Sequence, residues 1–300
     1  MENHVHRAGR PFSSTGTHAF SSALLLSGLA LLLLLGVSLT VIFRLIPTQP
    51  SNEKWSFQTG SGTIHAVSPT IANGLIYSSS NRYFYALDAS DRQQWSFDMV
   101  GIIASSPGVA NGMAYVGAND AFGHLFALDA RSGRQQWHFR SQGNVSSPVV
   151  ANGIVYLSSD EGKLYALDAR SGQQKWHWAY PVDPYPNAAG SYRTATPVVV
   201  NGIVYEGSNN GNLYALNAFS GWQQWSFQTR GPIVSTPLVV NGTIYVGSDD
   251  NHLYALDASS GSSKWSFQTE GLIESMPIVA DNVVYVSSSD AKLYAIQIPS

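Results

Sequence analysis

The sequence predicts an all-β fold, a six-bladed β-propeller of four-stranded antiparallel blades, on three observations. First, the segment FALDARSGRQQW at Phe126–Trp137 recurs along the chain. Second, the copies follow one another at close to 40 residues, with one longer step, and such a period is typical of propellers. Third, tight-turn residues separate short apolar runs within each copy, and no helical periodicity competes with them. Six tryptophans mark the copies: Trp55, Trp95, Trp137, Trp176, Trp225 and Trp265.

One complete repeat shows how a blade is built from four strands. The predicted strands are Pro148–Ala151, Ile154–Ser158, Leu164–Asp168 and Gln174–Trp178. Asn152-Gly153 joins the first two, and Asn-Gly is the dipeptide that most favours a two-residue type I′ hairpin turn. Short antiparallel strands joined by tight turns form one propeller blade.

The order of the strands predicts how the ring closes. The body begins with a lone fourth strand, Lys54–Gln58, and its last repeat supplies three strands, the third being Leu293–Ile298. Pairing these segments completes six blades and removes an exposed sheet edge. We therefore expect the N-terminal strand to join the C-terminal blade, with Trp55 packed near Ala295.

The N-terminal segment predicts a single membrane anchor. Residues 23–43 form an uncharged stretch long enough for a helix of roughly 30 Å, the thickness of the hydrocarbon layer. Because no A-x-A-like site follows it, an uncleaved signal-anchor is favoured over a cleaved signal peptide. Residues 1–22 are then a short cytoplasmic tail, residues 44–52 a linker and residues 53–300 the propeller. The positive charges before and after the anchor are equal in number, so they do not set its orientation. Export of the body is inferred instead from its low-charge, Asn/Ser/Tyr-rich composition. The expected location is the cell membrane, with the propeller on the extracytoplasmic side.

Charge and cysteine usage narrow the function classes. Three of the 16 Lys and Arg and one of the 19 Asp and Glu precede residue 50, which leaves 13 against 18 in the body. The basic residues are scattered along the sequence, so no nucleic-acid partner is expected. The chain has no cysteine, which excludes disulfides, thiolate metal sites and a cysteine nucleophile.

The repeated motif resembles the tryptophan-docking motif of PQQ-like β-propeller repeats. The pattern A-x-D-A-x-(S/T)-G-x-x-x-W runs, with small departures, through Ala127–Trp137, Ala166–Trp176, Ala215–Trp225 and Ala255–Trp265. The small alanine leaves room for an indole face, and glycine permits the positive φ of a tight turn. The tryptophan is expected to close over the turn, so all six tryptophans are interpreted as structural.

The resemblance also implies what an enzyme of this type would contain. Quinone-dependent dehydrogenases with such repeats have eight blades, a Ca²⁺ ion, an aspartate base and often a vicinal cysteine pair. This chain predicts six blades and has no cysteine, and its aspartates recur in the LYALDA segment of successive repeats. We therefore expect no catalytic residue, no metal and no PQQ, and a non-catalytic scaffold that binds a protein or a cell-envelope ligand. A small PQQ-dependent or carbohydrate-acting enzyme is the alternative.

Binding residues are expected where the chain departs from its repeat. The step between Trp176 and Trp225 carries nine extra residues, which lie within Tyr180–Arg193. Tyrosine and arginine are favoured binding anchors, and loops on rigid scaffolds commonly carry function. A neutral insertion is the alternative. The candidates in this insert are Tyr180, Asp183, Tyr185, Tyr192 and Arg193.

A second set of candidates precedes the first strand of each blade, where the chain is expected to pass near the central channel. Apolar residues occupy most of these positions, and the polar exceptions are His65, Asn144, Arg193 and Glu274. They predict a ligand site at the mouth of the channel. An Arg193–Glu274 ion pair that only fills the mouth is the alternative.

Overall fold

The computed structural model describes residues 54–57, 68–103, 105–181 and 195–299. Within these ranges every regular element is a β-strand, and the strands form six antiparallel sheets that follow one another along the chain. The all-β prediction is therefore confirmed.

The first three sheets contain thirteen of the described strands. Sheet 2 has five because two short strands, β5 and β6, pair with different parts of β7. Sheet 1 comprises β1 (Thr70–Ala72), β2 (Leu75–Ser80), β3 (Tyr83–Asp88) and β4 (Gln93–Asp98); sheet 2 comprises β5 (Ile102–Ile103), β6 (Gly108–Ala110), β7 (Met113–Asn119), β8 (Gly123–Asp129) and β9 (Gln135–Arg140); sheet 3 comprises β10 (Val149–Ala151), β11 (Ile154–Ser159), β12 (Lys163–Asp168) and β13 (Gln174–Ala179).

The last three sheets repeat this arrangement, and the sixth has three strands among the described residues. Sheet 4 comprises β14 (Val198–Val200), β15 (Ile203–Gly207), β16 (Asn212–Asn217) and β17 (Gln223–Gln228); sheet 5 comprises β18 (Leu238–Val240), β19 (Thr243–Gly247), β20 (His252–Asp257) and β21 (Ser263–Gln268); sheet 6 comprises β22 (Ile278–Ala280), β23 (Val283–Ser287) and β24 (Leu293–Gln297).

Local sequence explains the turns of each sheet. Asn152 and Gly153 have φ angles of 51° and 74°, and two successive positive φ angles are the requirement of a type I′ turn. The turn between the third and fourth strands depends on a side chain instead. In sheet 3 the Asp168 carboxylate accepts hydrogen bonds from the amide and the hydroxyl of Ser171 at 3.0 and 2.9 Å. The repeated aspartates therefore stabilise turns.

Apolar side chains fill the space between consecutive sheets. Five buried cores join sheet 1 to 2, 2 to 3, 3 to 4, 4 to 5 and 5 to 6 in the described part of the chain. In the third core, Ile154 and Tyr156 of sheet 3 meet Val204 and Leu216 of sheet 4, all at most 3% exposed. Among the described residues, sheets 2 to 5 thus each bury one face against the preceding sheet and the other against the next.

The repeated tryptophan contacts the next sheet. Trp137 of sheet 2 donates its indole N–H to the Ala169 carbonyl of sheet 3 at 3.0 Å, and the Tyr115 hydroxyl donates to the same oxygen at 3.0 Å. A Cβ atom on Gly172 would lie 2.6 Å from Trp137 Cδ2, so only glycine leaves room for the indole. The tryptophan therefore closes over the turn of the following sheet, a detail that one motif read alone cannot give. The same contacts recur for Trp95, Trp176 and Trp225.

The N-terminal predictions lie almost entirely outside the described residues. The tail, the anchor at 23–43 and the linker at 44–52 fall there. The short stretch 54–57 is described without an assigned strand and belongs to a unit separate from the sheets. Among the described residues no helix has the length and apolarity to span a membrane. The anchor and the closure by Trp55 stay predictions.

Candidate functional site

One buried carboxylate breaks the repeat between sheets 3 and 4. The residue that follows the repeated tyrosine of the second strand is apolar or small in five sheets, but in β15 it is Glu206, which is 0% exposed. Aligning the six repeats position by position identifies this residue from the sequence alone, whereas inspecting one repeat at a time does not. The five other residues at this position are Ser78, Val116, Leu157, Val246 and Val286.

Two hydroxyl groups of sheet 3 hold one oxygen of this carboxylate. Glu206 Oε1 accepts hydrogen bonds from Ser158 Oγ at 2.6 Å and from Tyr180 OH at 2.7 Å. Ser158 lies on β11, and Tyr180 follows the last residue of β13. The cluster therefore joins two sheets through side chains that are distant in sequence.

The second oxygen of the carboxylate has no partner in the described structure. Glu206 Oε2 is buried, and no hydrogen-bond donor or acceptor of the described residues reaches it. Burial raises the pKa of Glu206 to about 8, against the lowering effect of the hydrogen bonds from Ser158 and Tyr180. At neutral pH the carboxyl group is therefore mostly protonated, and its second oxygen remains able to donate or accept one further hydrogen bond.

Aromatic rings surround Tyr180, the one insert candidate that the structure describes. Trp178 meets Tyr180 edge-on, with ring centroids 5.2 Å apart, and meets Tyr214 at 4.4 Å. Asn210 Nδ2 donates to Tyr214 OH at 2.7 Å and to the Pro181 carbonyl at 3.4 Å. Burial, followed by the nearby Glu206 carboxyl group, raises the pKa of Tyr180 well above its ordinary value. Tyr180 therefore remains a neutral hydrogen-bond donor at physiological pH.

The remaining candidates are only partly described. Asp183, Tyr185, Tyr192, Arg193 and His65 lie outside the described residues. Asn144 is exposed, and its carbonyl accepts a hydrogen bond from the Asp160 amide at 2.9 Å. Glu274 is exposed as well.

Isoleucines at the corresponding position of other repeats are buried in the cores between sheets. These are Ile103, Ile233 and Ile273, each at most 1% exposed. In sheet 3 the buried residue is Val145, one position after Asn144. A residue at this position of the repeat therefore does not necessarily face a channel. The channel-mouth site stays a prediction.

A second polar cluster lies on sheet 2, where β7 and β8 are each one residue longer than β11 and β12 of sheet 3. His124 Nδ1 and His138 Nε2 are 2.9 Å apart, and His124 Nε2 lies 3.2 Å from Asp120 Oδ1. Burial, then the charges of His124 and Arg140, lower the pKa of His138. Within the described ranges no group of three or more His, Cys, Asp or Glu side chains is arranged to hold a metal ion. We interpret the cluster as a polar contact that stabilises these longer strands.

The fold and the repeated contacts define the class of protein. Successive four-stranded antiparallel sheets, joined by a repeated tryptophan–carbonyl–glycine contact, form a β-propeller of PQQ-like repeats. The family model described as outer membrane protein assembly factor BamB matches residues 48–212 and 187–300. The chain therefore belongs to this family.

A solved structure shows the same fold at low sequence identity. The crystal structure of BamB from Moraxella catarrhalis superimposes with a TM-score of 0.67 and 20% identity, covering 76% of this chain and 71% of that protein. No curated protein matches the chain significantly. The likeness extends to the fold and leaves the partner of this chain to be argued from its own residues.

Proposed function

We propose that this chain is a membrane-anchored, extracytoplasmic six-bladed propeller that binds a protein or cell-envelope partner without transforming it. Membership of a family described as an assembly factor supports a scaffold role. The observation that carries the proposal is the departure from the repeat between sheets 3 and 4, where Glu206 holds Tyr180 at the start of the insert. Binding residues are commonly carried by loops that a regular scaffold positions.

The repeated aspartates support a non-catalytic role. Asp168 and its counterparts Asp129 and Asp257 each accept hydrogen bonds from the serine residues of their own turn. These bonds lower the pKa of each carboxyl group, to about 2 in Asp257. Each is therefore a permanently ionised turn-stabilising group and a poor proton acceptor.

Exposure along β24 supports closure of the ring by residues 54–58. Leu293 is 70% exposed, whereas Leu253, its counterpart in sheet 5, is 0% exposed and lies opposite Phe267 of the fourth strand. In the sequence KWSFQ, Phe57 corresponds to Phe267. We propose that Lys54–Gln58 supplies the missing fourth strand and places Phe57 opposite Leu293.

A disulfide test distinguishes the proposed register from its neighbours. Register by analogy with sheet 5 places Ser56 opposite Tyr294, and opposed residues have Cβ atoms about 4.5–5.5 Å apart. Because the chain has no cysteine, Ser56→Cys with Tyr294→Cys should give one oxidised species. The control, Ser56→Cys with Ala295→Cys, shifts the register by one residue and should stay reduced. Equal oxidation of both pairs, or of neither, would contradict the closure.

The binding role is tested by comparing partners captured from native membranes. We expect one set of partners to be lost when Tyr185 and Tyr192 are replaced by alanine, while an Arg92→Ala control keeps it. Thermal unfolding of all proteins checks that the variants fold. Identical capture by the insert variant and the unmodified chain would remove the insert from the binding surface.

A further inference from the structure

The turns between the third and fourth strands form a row of exposed side chains along one edge of the sheets. We call residues 131–134, 170–173, 219–222 and 259–262 of sheets 2 to 5 the rim turns. The rim turn of sheet 4 carries Phe219, 60% exposed, and Trp222, 78% exposed. Sheet 5 has Ser259 and Ser262 at these two positions. Sheet 4 therefore presents two large aromatic side chains where its neighbour presents two serines.

Basic side chains lie beside these aromatic residues. The rim turn of sheet 2 carries Arg131 and Arg134, and that of sheet 3 carries Arg170, all three exposed. Adjacent rim turns are separated by one indole, because Gly172 packs on Trp137 and Gly221 packs on Trp176. The arginines, scattered in the sequence, thus lie in consecutive rim turns that lead to Phe219 and Trp222.

The nearby carboxylates are already engaged. Asp129 and Asp168 accept hydrogen bonds from Ser132 and Ser171 within their own turns. They neutralise part of the positive charge, but no carboxylate occupies an outer position of the rim turns of sheets 2 to 4. The outward surface of these turns is therefore basic and aromatic.

We propose that the rim turns of sheets 2 to 4 dock on the anionic headgroups of a lipid bilayer, with Trp222 and Phe219 in the interfacial layer. Tryptophan favours the boundary between headgroups and acyl chains, and basic side chains are attracted to anionic lipids. Exposed aromatic side chains at the tip of a turn can insert into the interfacial layer of a bilayer. A protein partner would instead have to enclose both rings in a desolvated pocket.

The inference rests on the proposed placement of the propeller beside a membrane, so the experiment reports the two separately. The full chain is reconstituted into vesicles of phosphatidylcholine alone or of equal parts phosphatidylcholine and phosphatidylglycerol. Flotation with vesicles of phosphatidylcholine alone reports the anchor, because the proposed docking requires anionic headgroups. Because the chain has no cysteine, Ser220→Cys carries a single fluorophore on the rim turn of sheet 4, and nitroxide-labelled headgroups quench it when the rim turn reaches the bilayer.

Two controls distinguish docking of the rim turns from nonspecific closeness of the whole propeller to the bilayer. A fluorophore at Gln142→Cys lies at the opposite edge of the sheets, where the Gln142 amide donates to Glu161 beside the turn between β11 and β12. Phe219→Ser with Trp222→Ser gives sheet 4 the outer residues of the sheet 5 rim turn and should leave the fold intact. Urea titration of this variant checks its folding.

We expect strong quenching at Ser220→Cys in the anionic vesicles, weak quenching at Gln142→Cys, and a fall to the weak value in the double-serine variant. Quenching should also decrease as salt is raised, because exposed charges are screened. Flotation with equal quenching at the two sites would overturn the docking while leaving the anchor in place. Absence of flotation with both kinds of vesicle would overturn both.

Discussion

Glu206 makes the free energy of unfolding of the propeller depend on pH, and replacing this one residue should remove its share of that dependence. Its pKa is about 8 in the folded chain and 4.5 ordinarily. Because the folded pKa is the higher one, the contribution of the group is fully present below pH 4.5 and is lost as pH rises through 8. The difference between 8 and 4.5 corresponds to about 5 kcal/mol, at about 1.4 kcal/mol per pH unit.

Glu206→Gln keeps the shape of the side chain and removes its titration. We expect the free energy of unfolding of the unmodified chain, relative to that of the variant, to fall by about 3 kcal/mol between about pH 5 and about pH 7. Urea titrations followed by tryptophan fluorescence at several pH values measure this difference. Subtracting the free energy of unfolding of the variant from that of the unmodified chain cancels the contribution of every other titrating group that the substitution leaves unperturbed.

The hydrogen bonds to Glu206 provide a second check on the direction of its pKa shift. The bond from Ser158 lowers the pKa of Glu206, so Ser158→Ala should raise that pKa further and extend the pH-dependent loss to higher pH. Val246→Glu introduces the same carboxyl group at the corresponding position of sheet 5, where the tyrosine partner is missing. We expect this carboxyl group to lower the free energy of unfolding more than Glu206 does in sheet 4. A pH-independent difference between the unmodified chain and Glu206→Gln would refute the reasoning.

Three further predictions concern the repeated tryptophan–glycine contact and the expectation that PQQ does not bind. Gly172→Ala should destabilise more than Gly153→Ala in urea titration, because both glycines have a positive φ but only a Cβ at Gly172 would meet Trp137; equal losses would show that backbone strain alone acts. Trp176→Ala should cost about 3–5 kcal/mol through the lost burial and cavity, and a loss below about 1 kcal/mol would contradict a structural role. Addition of PQQ and Ca²⁺ should leave the quinone absorption spectrum and alcohol oxidation unchanged; a spectral shift with oxidation would favour the enzyme.

Strand positions could be predicted from local sequence because each turn has its own signal. The prediction of a strand at Ile154–Ser158 and the structure's β11 at Ile154–Ser159 differ by one residue, since Asn152-Gly153 fixes where the hairpin turns. The Glu206 cluster could not be assembled in this way. Its two partners lie 48 and 26 residues away, and strand alternation does not reveal which neighbouring sheet a side chain meets.

Sheets 3 and 4 carry aromatic and acidic side chains at positions where their neighbours have smaller or apolar residues. Sheet 3 supplies Trp178 and Tyr180 where the next two sheets have phenylalanine and threonine, and sheet 4 supplies Glu206, Phe219 and Trp222. A buried carboxyl group with an unpaired oxygen costs stability. We propose that this oxygen of Glu206 serves binding, because Tyr180, which donates to the other oxygen of the same carboxyl group, begins the insert. We therefore propose two distinct surfaces on these sheets, a polar cluster at the start of the insert and an aromatic rim that docks on lipid.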